Sequence, residues 1–377
     1  MITLYGAQCS LYTGKVRAYL RKNAIPFAER APSHPHYRDT VLPAVQNHRI
    51  PVVEFADGAM IQDSAAILDA CESRFPHVAK PTGALRVAEL FIEAYAERSL
   101  LKAAMHYRWS FPHENRAFIL GEFGRIIAFA NGPAAWPQVG ESIAGRMSAY
   151  LPPLGITAAS IPAIEASYLK LLACLNAHFA LYPYILGDAP SRADYGLMGP
   201  LYAHLGRDPY PARIMQREAP LVFRWVERMN APEVHTPEYP DRAATFFDSA
   251  NPPPAFRAVL KQAVAEYAGE VEATARLFAD WCAKHPDKAS GARVSDKGED
   301  QPTFGSLEFP IENTTVRTMS SGHTLWMMQH ALDAYVASNA AEKTHARTLF
   351  AQAGGASLLD LKFARRLTRI DNKLAIA

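Results

Sequence analysis

The sequence predicts an α/β domain at the N-terminus, then an all-helical body, then a further mainly helical extension. Three observations carry this. Residues 1–76 alternate short strand signals with helical ones, strand signals vanish from Gly83 onward, and the composition changes again past Tyr239. The order read in the first 76 residues is strand, helix, strand, helix, strand, strand, helix.

The elements follow in order. Ile2–Tyr5 is a short strand. Tyr12, Val16, Tyr19 and Leu20 then repeat at helical spacing. Pro26–Glu29 is a second strand, and His34–Asn47 is a loose helix or loop. Pro51–Phe55 is a strand, Asp57-Gly58 signals a hairpin, and Ala59–Ile61 is the return strand. Ser64 opens and caps a helix with apolar positions at Ile67, Leu68, Cys71 and Phe75. Residues 76–82 read as a linker. Leu85–Met105, Glu114–Phe129 and Arg213–Met229 read as helices. Ile161, Ile164, Tyr168, Leu171, Leu172, Leu175 and Phe179 draw one wide apolar stripe. The Gly- and Pro-rich stretches 131–136 and 150–153 read as a loop or lid.

This divides the chain into 1–76, 83–235 and 240–377. The last part holds two amphipathic helix patterns, Phe256–Phe278 and Leu325–Val336. Between them lie a polar segment, 285–302, expected to be mobile, and a hairpin around Glu312-Asn313. Both apolar stripes need burying, so the extension is expected to dock on the helical body, the N-terminal sheet being covered by its own helices. Glu266 and Glu270, four residues apart, read as a solvated face. The final twenty residues read as a basic tail.

Composition narrows the function classes. There are 39 Lys and Arg against 37 Asp and Glu, a formal net charge of +2, so no global field points to nucleic acid or to an acidic membrane. No apolar run is long enough to span a bilayer, and Met1–Tyr5 has no signal-peptide pattern, so a cytoplasmic location is expected. The four cysteines, Cys9, Cys71, Cys174 and Cys282, show neither metal-knuckle nor dithiol spacing, which suits a reducing compartment; no metal site is expected.

Four local features carry chemistry. At Gln8-Cys9-Ser10-Leu11-Tyr12-Thr13-Gly14-Lys15 a strand ends and a helix begins. Such an N-terminus favours a thiolate, and a hydroxyl or thiol there can donate to it. A plain helix cap uses the same residues. Ile50-Pro51 stands before a strand; base rates for X–Pro bonds argue for trans. Gln62-Asp63-Ser64 follows a hairpin and suits an amino-acid-like ligand, the acid taking its ammonium and the helix end its carboxylate; simple capping is the alternative. Ser191 and Asp194 form a capping-box pattern, a folding device.

In this order and at these distances, the four features resemble the cytosolic glutathione transferase superfamily over roughly residues 1–235. The resemblance implies an α/β thioredoxin-like N-terminal domain plus an all-α glutathione-transferase C-terminal domain. It leaves 240–377 as an extra mainly helical extension. It implies a cis bond at Ile50-Pro51, and glutathione as co-substrate. The Val52 backbone would pair with the cysteinyl backbone of glutathione, and Gln62, Asp63 and Ser64 would hold its γ-glutamyl end. The thiol would be activated at Ser10, by hydroxyl donation, or at Cys9, by thiol exchange; Tyr12 stands where a resolving cysteine would, against dithiol chemistry. Tyr12, Tyr95, His106 and Trp109 would wall a pocket for a small electrophilic or hydrophobic substrate. A homodimer is the implied assembly, without nucleic acid or membrane. The alternatives are a non-catalytic binding or interaction protein of the same fold, or a monothiol oxidoreductase using Cys9.

Overall fold

The computed structural model describes residues 1–234, 237–295 and 302–377. The N-terminal domain is a four-stranded sheet of order β2-β1-β3-β4: β1 (Ile2–Tyr5), β2 (Phe27–Arg30), β3 (Val52–Glu54) and β4 (Met60–Gln62). β1 pairs parallel with β2 across α1 (Leu11–Lys22), and antiparallel with β3; β3 and β4 form the hairpin that Asp57-Gly58 announces. The loosely periodic 34–47 stretch becomes a π-helical turn, Tyr37–Val41, running into α2 (Leu42–Val45). α3 (Ser64–Arg74) closes the domain.

The helical body begins with α4 (Gly83–Arg98) and α5 (Leu100–Trp109), so the run predicted as one helix bends at Ser99. α6 (Pro112–Ala128) and α7 (Trp136–Ser148) follow. α7 lies between the two stretches read as loop, over residues for which the sequence predicts no element. It packs closely on α6, since a Cβ on Gly124 would lie 2.0 Å from the Trp136 carbonyl oxygen and one on Gly140 2.4 Å from that of Leu120. α8 (Ile161–Phe179) carries the predicted stripe, and α9 (Arg192–Ala203) starts at the Ser191/Asp194 capping box. α10 (Pro209–Glu218) and α11 (Pro220–Asn230) divide at Pro220, whose ring suits a helix start and not an interior.

The extension contains α12 (Pro254–Lys284), the hairpin β5 (Ser306–Ile311) and β6 (Thr314–Met319), α13 (Gly322–Ala337), α14 (Ala340–Gln352), and a terminal hairpin β7 (Leu367–Ile370) and β8 (Lys373–Ile376). α12 lies on α8, and α13 and α14 lie on α4. The stripe residues Phe256, Leu260, Val264, Tyr267, Val271 and Phe278 belong to the main core, as do Leu325, Met328 and Leu332.

Two expectations are corrected here. Glu266 and Glu270 do not face solvent. Glu266 accepts from Tyr95 Oη (2.9 Å), Ser99 Oγ (3.1 Å) and Ser167 Oγ (2.8 Å), and Glu270 pairs with Arg98 and Lys102. Helices α4, α5 and α8 supply the donors, so the carboxylates are buried with partners. The extension also docks on the N-terminal domain. β4 is an edge strand, and the β7–β8 turn covers it: Gln62 N–H donates to Asn372 Oδ1 (3.2 Å), and Asn372 Nδ2 to the Val45 carbonyl (3.3 Å).

Part of the segment expected to be mobile is tied to β8. Gly291 N–H donates to Ile376 O (2.9 Å), Val294 N–H to Leu374 O (3.1 Å), and Ile376 N–H to Ala292 O (2.9 Å). The rest of that expectation, at 296–301, lies outside the described residues. Among the described residues no helix is long and apolar enough to cross a membrane.

Candidate functional site

Strand register gathers the site. Tyr5 lies opposite Val52, and Val52 opposite Gln62. The turn after β1, the Ile50-Pro51 step before β3 and the Gln62–Ser64 corner after β4 therefore share one end of the sheet. The Ile50-Pro51 bond is cis, as the resemblance implied. Ile50 packs against a small apolar group formed by Ala7, Cys9 and Ile126.

Ser10 and Cys9 are adjacent but differently placed. Ser10 is the N-cap of α1, half-buried, with extended backbone; its Oγ accepts from Thr13 N–H (3.3 Å). That bond uses a lone pair and leaves the hydroxyl proton to donate, so capping and thiolate activation are compatible in one side chain. Cys9 is buried, and burial pushes its thiol up, with nearby Arg108 opposing in part. Its carbonyl accepts from Arg108 Nη1 (3.0 Å). Reactive cysteines need an exposed, thiolate-favouring setting, which Cys9 lacks.

Val52 does not offer its backbone to a ligand. Because Gln62 N–H points outward to Asn372, the Val52–Gln62 pair is of the non-hydrogen-bonded kind, and Val52 faces β1. The β3–β4 ladder ends at the Val52–Gln62 pair, and Ile50 lies before it, outside the ladder. Of the residues expected to bind glutathione at this step, Ile50 is thus the one whose backbone stands outside the strand ladders.

The Gln62–Ser64 corner differs from its reading in two ways. Asp63, not Ser64, caps α3: it sits at φ 94° and its Oδ1 accepts from Ala65 N–H (3.0 Å) and Ala66 N–H (3.3 Å). Ser64 is buried and its Oγ donates inward to Glu97 Oε1 (2.9 Å), so its hydroxyl is not presented to a ligand. Glu97 also meets Lys15 and His323 Nε2 (3.0 Å). Burial opposes its charge, but Lys15 and His323 outweigh that and hold its carboxyl well below the usual range. Gln62 is buried too, its Oε1 accepting from Asn47 Nδ2 (2.9 Å) and Arg369 Nη2 (2.7 Å).

The sequence reading missed the β7–β8 contribution altogether. The signal for it is Asp371-Asn372, a two-residue turn whose residues both take positive φ, between two short runs that pair in register.

The pocket candidates separate. Tyr95 is wholly enclosed and bonds Glu266 of α12, and His106 is buried and bonds Glu165 Oε1 (2.9 Å); neither presents a wall to a substrate. Tyr12 directs its hydroxyl to the Glu97 carbonyl (3.3 Å). Trp109 is partly exposed and stacks on Phe123, which borders the Cys9–Ile50 cluster. Tyr12 and Trp109 are thus the candidates that retain some surface near the β1–α1 turn. Among the described residues no group of three or more His, Cys, Asp or Glu is arranged to hold a metal ion.

Comparisons with known proteins follow this geometry. Residues 4–81 match the family model described as glutathione S-transferase, N-terminal domain, and residues 147–233 the one described as glutathione S-transferase, C-terminal domain. No curated protein matches the chain. Among solved structures, one of a glutathione S-transferase from Rhodospirillum rubrum F11 aligns over 69% of this chain and 99% of its own, at 16% identity and a TM-score of 0.39. A glutathione transferase from Phanerochaete chrysosporium aligns over 62% and 97%, at 15% identity and a TM-score of 0.42. A glutathione S-transferase from Methylobacillus flagellatus KT, crystallised with glutathione bound, aligns over 60% and 94%, at 16% identity and a TM-score of 0.35. With both family models matched in sequence order, one on the four-stranded mixed sheet and one on the helices after it, the chain carries the N- and C-terminal domains of the glutathione S-transferase family.

Proposed function

We propose that this chain binds glutathione at the shared end of its N-terminal sheet and acts as a glutathione transferase, activating the thiol beside Ser10 for attack on a small electrophile. The observation that carries the reading is the strand register, which brings the N-terminus of α1, Ile50-Pro51 and the N-terminus of α3 to one end. In this reading the Ile50 backbone aligns the cysteinyl residue of glutathione. The Ser10 hydroxyl and the N-terminus of α1 stabilise its thiolate, and Asp63 takes the γ-glutamyl ammonium. Trp109, beside Phe123, and Tyr12 are side chains available to a second substrate. The buried Cys9 thiol argues against the monothiol alternative.

Calorimetric titration with glutathione and turnover of an activated aryl chloride test the reading together. Saturable binding with conjugation supports it. Binding without turnover of a panel of electrophiles would favour a non-catalytic binding protein, and no binding would remove the proposal.

A further inference from the structure

The terminal hairpin does more than cover a strand edge. Arg369, on β7, donates from Nη2 to Gln62 Oε1 (2.7 Å) and to the Asn372 carbonyl (2.7 Å), and its guanidinium stands over the Trp326 ring, 5.4 Å from the centroid. A guanidinium has five donors in a rigid fork. Two contacts hold Nη2, and Nη1 is turned toward Asp63 Oδ2 at 3.6 Å, beyond hydrogen-bonding distance. On the other side of the same carboxylate stands His323 of α13, with Nδ1 3.9 Å from Asp63 Oδ2. His323 is nine-tenths buried, its Nε2 is bonded to Glu97, and its Nδ1 is a buried atom without a partner. Three polar groups from three parts of the chain thus converge around one corner without closing hydrogen bonds among themselves. A buried, unpaired polar atom is costly, and a ligand that bridges these groups would relieve it. The corner is the one to which the γ-glutamyl end is assigned above, and there the hydroxyl of Ser64 is already taken by Glu97.

We infer that the C-terminal extension completes the glutathione site within the same chain, with Arg369 binding the γ-glutamyl carboxylate beside Asp63 and His323 closing the corner behind it. This rests on the glutathione reading above. The γ-glutamyl end is a zwitterion: its ammonium suits Asp63, and its carboxylate suits a guanidinium fixed through its other arm. Asn372 positions the arrangement, since its side chain joins the hairpin turn to Gln62 and Val45.

The test is calorimetry on the full chain with glutathione and with cysteinylglycine, which lacks the γ-glutamyl group. Wild type should prefer glutathione. Arg369→Gln should weaken glutathione roughly 10- to 100-fold, as the loss of a charge-assisted contact does, and leave cysteinylglycine unchanged. Arg369→Lys keeps the charge and the stem over Trp326, so it serves if the first variant misfolds; it should fall between wild type and Arg369→Gln. Unchanged glutathione affinity in both variants would overturn the inference and leave the glutathione reading standing. Tighter binding would overturn it too, by showing the hairpin to be an obstruction. Failure of wild type to bind either ligand would remove both.

Discussion

Replacing Glu270 with alanine should cost this protein about 3–5 kcal/mol, the range for removing one partner of a buried ion pair. Glu270 is fully buried on α12, and Lys102, its partner at 2.5 Å, is equally enclosed on α5. Arg98, the other partner, is partly exposed and also donates to the Met319 carbonyl (2.6 Å), so it keeps a partner when Glu270 goes. The cost therefore falls on Lys102, left as a buried ammonium with the Phe309 ring beneath it and no hydrogen-bonded carboxylate, Glu266 acting on it only through space. Burial pushes the Glu270 carboxyl up, but Arg98 and Lys102 outweigh it and the net shift is down. A depressed carboxyl contributes stability above its unfolded value near pH 4.3 and loses it as pH falls through the folded value. In Glu270→Ala the isolated Lys102 binds its proton less well folded than unfolded, so the penalty should shrink as pH rises toward 9. Equilibrium guanidinium unfolding, followed through the tryptophans, measures both effects. Glu270→Met with Lys102→Met removes both charges and should recover most of the loss. A cost under about 1 kcal/mol for Glu270→Ala, or no recovery in the double variant, would refute the reasoning that a desolvated pair joins α12 to α5.

Other expectations follow from the same geometry. Ser10→Ala should cut conjugation and move its pH profile to the alkaline side by about one to two units, the worth of one hydrogen bond to a charged group. Cys9→Ala should leave turnover largely intact; essential Cys9 with dispensable Ser10 would transfer the reaction to thiol exchange. Ser191→Ala should cost about 1 kcal/mol as a lost cap. Asp194→Ala should cost more, about 3 kcal/mol, because that buried carboxylate accepts from Ile185 N–H, Ser191 N–H, Ser191 Oγ and Trp225 Nε1; equal thermal stabilities of the two variants would contradict the ranking. Burial lowers the His330 pKa, but its pairing with Asp69 at 3.2 Å outweighs this and the net shift is up. A raised histidine contributes stability below its unfolded value near pH 6.5 and loses it as pH rises through the folded value. His330→Gln should flatten that slope, and identical pH profiles of thermal unfolding would refute it.

The parts legible in the sequence were those with a local cause. The Asp57-Gly58 hairpin, the α8 stripe and the Ser191/Asp194 box each depend on a few neighbouring residues, and each is present. The missed elements had weaker local signals. α7 is short of charged periodicity and begins in a Gly- and Pro-rich stretch, and the 367–376 hairpin was masked by its basic residues.

By itself, the sequence determined the strand and helix order of the first 76 residues, the helical stripes that follow, and the Asp57-Gly58 turn. These depend on side-chain periodicity and backbone preference, which act over a few residues. Tertiary structure alone decided where the hydroxyls and charges point. Ser64 faces Glu97 because α4 passes behind α3, and Cys9 is closed off by α5 and α6. Glu266 and Glu270 are enclosed because α4, α5 and α8 lie against that face of α12. The largest such decision is at Asp63. A turn more than three hundred residues away, at Asp371-Asn372, carries Arg369 to it, and no local pattern encodes a contact of that separation, because only packing of the whole extension brings the two together.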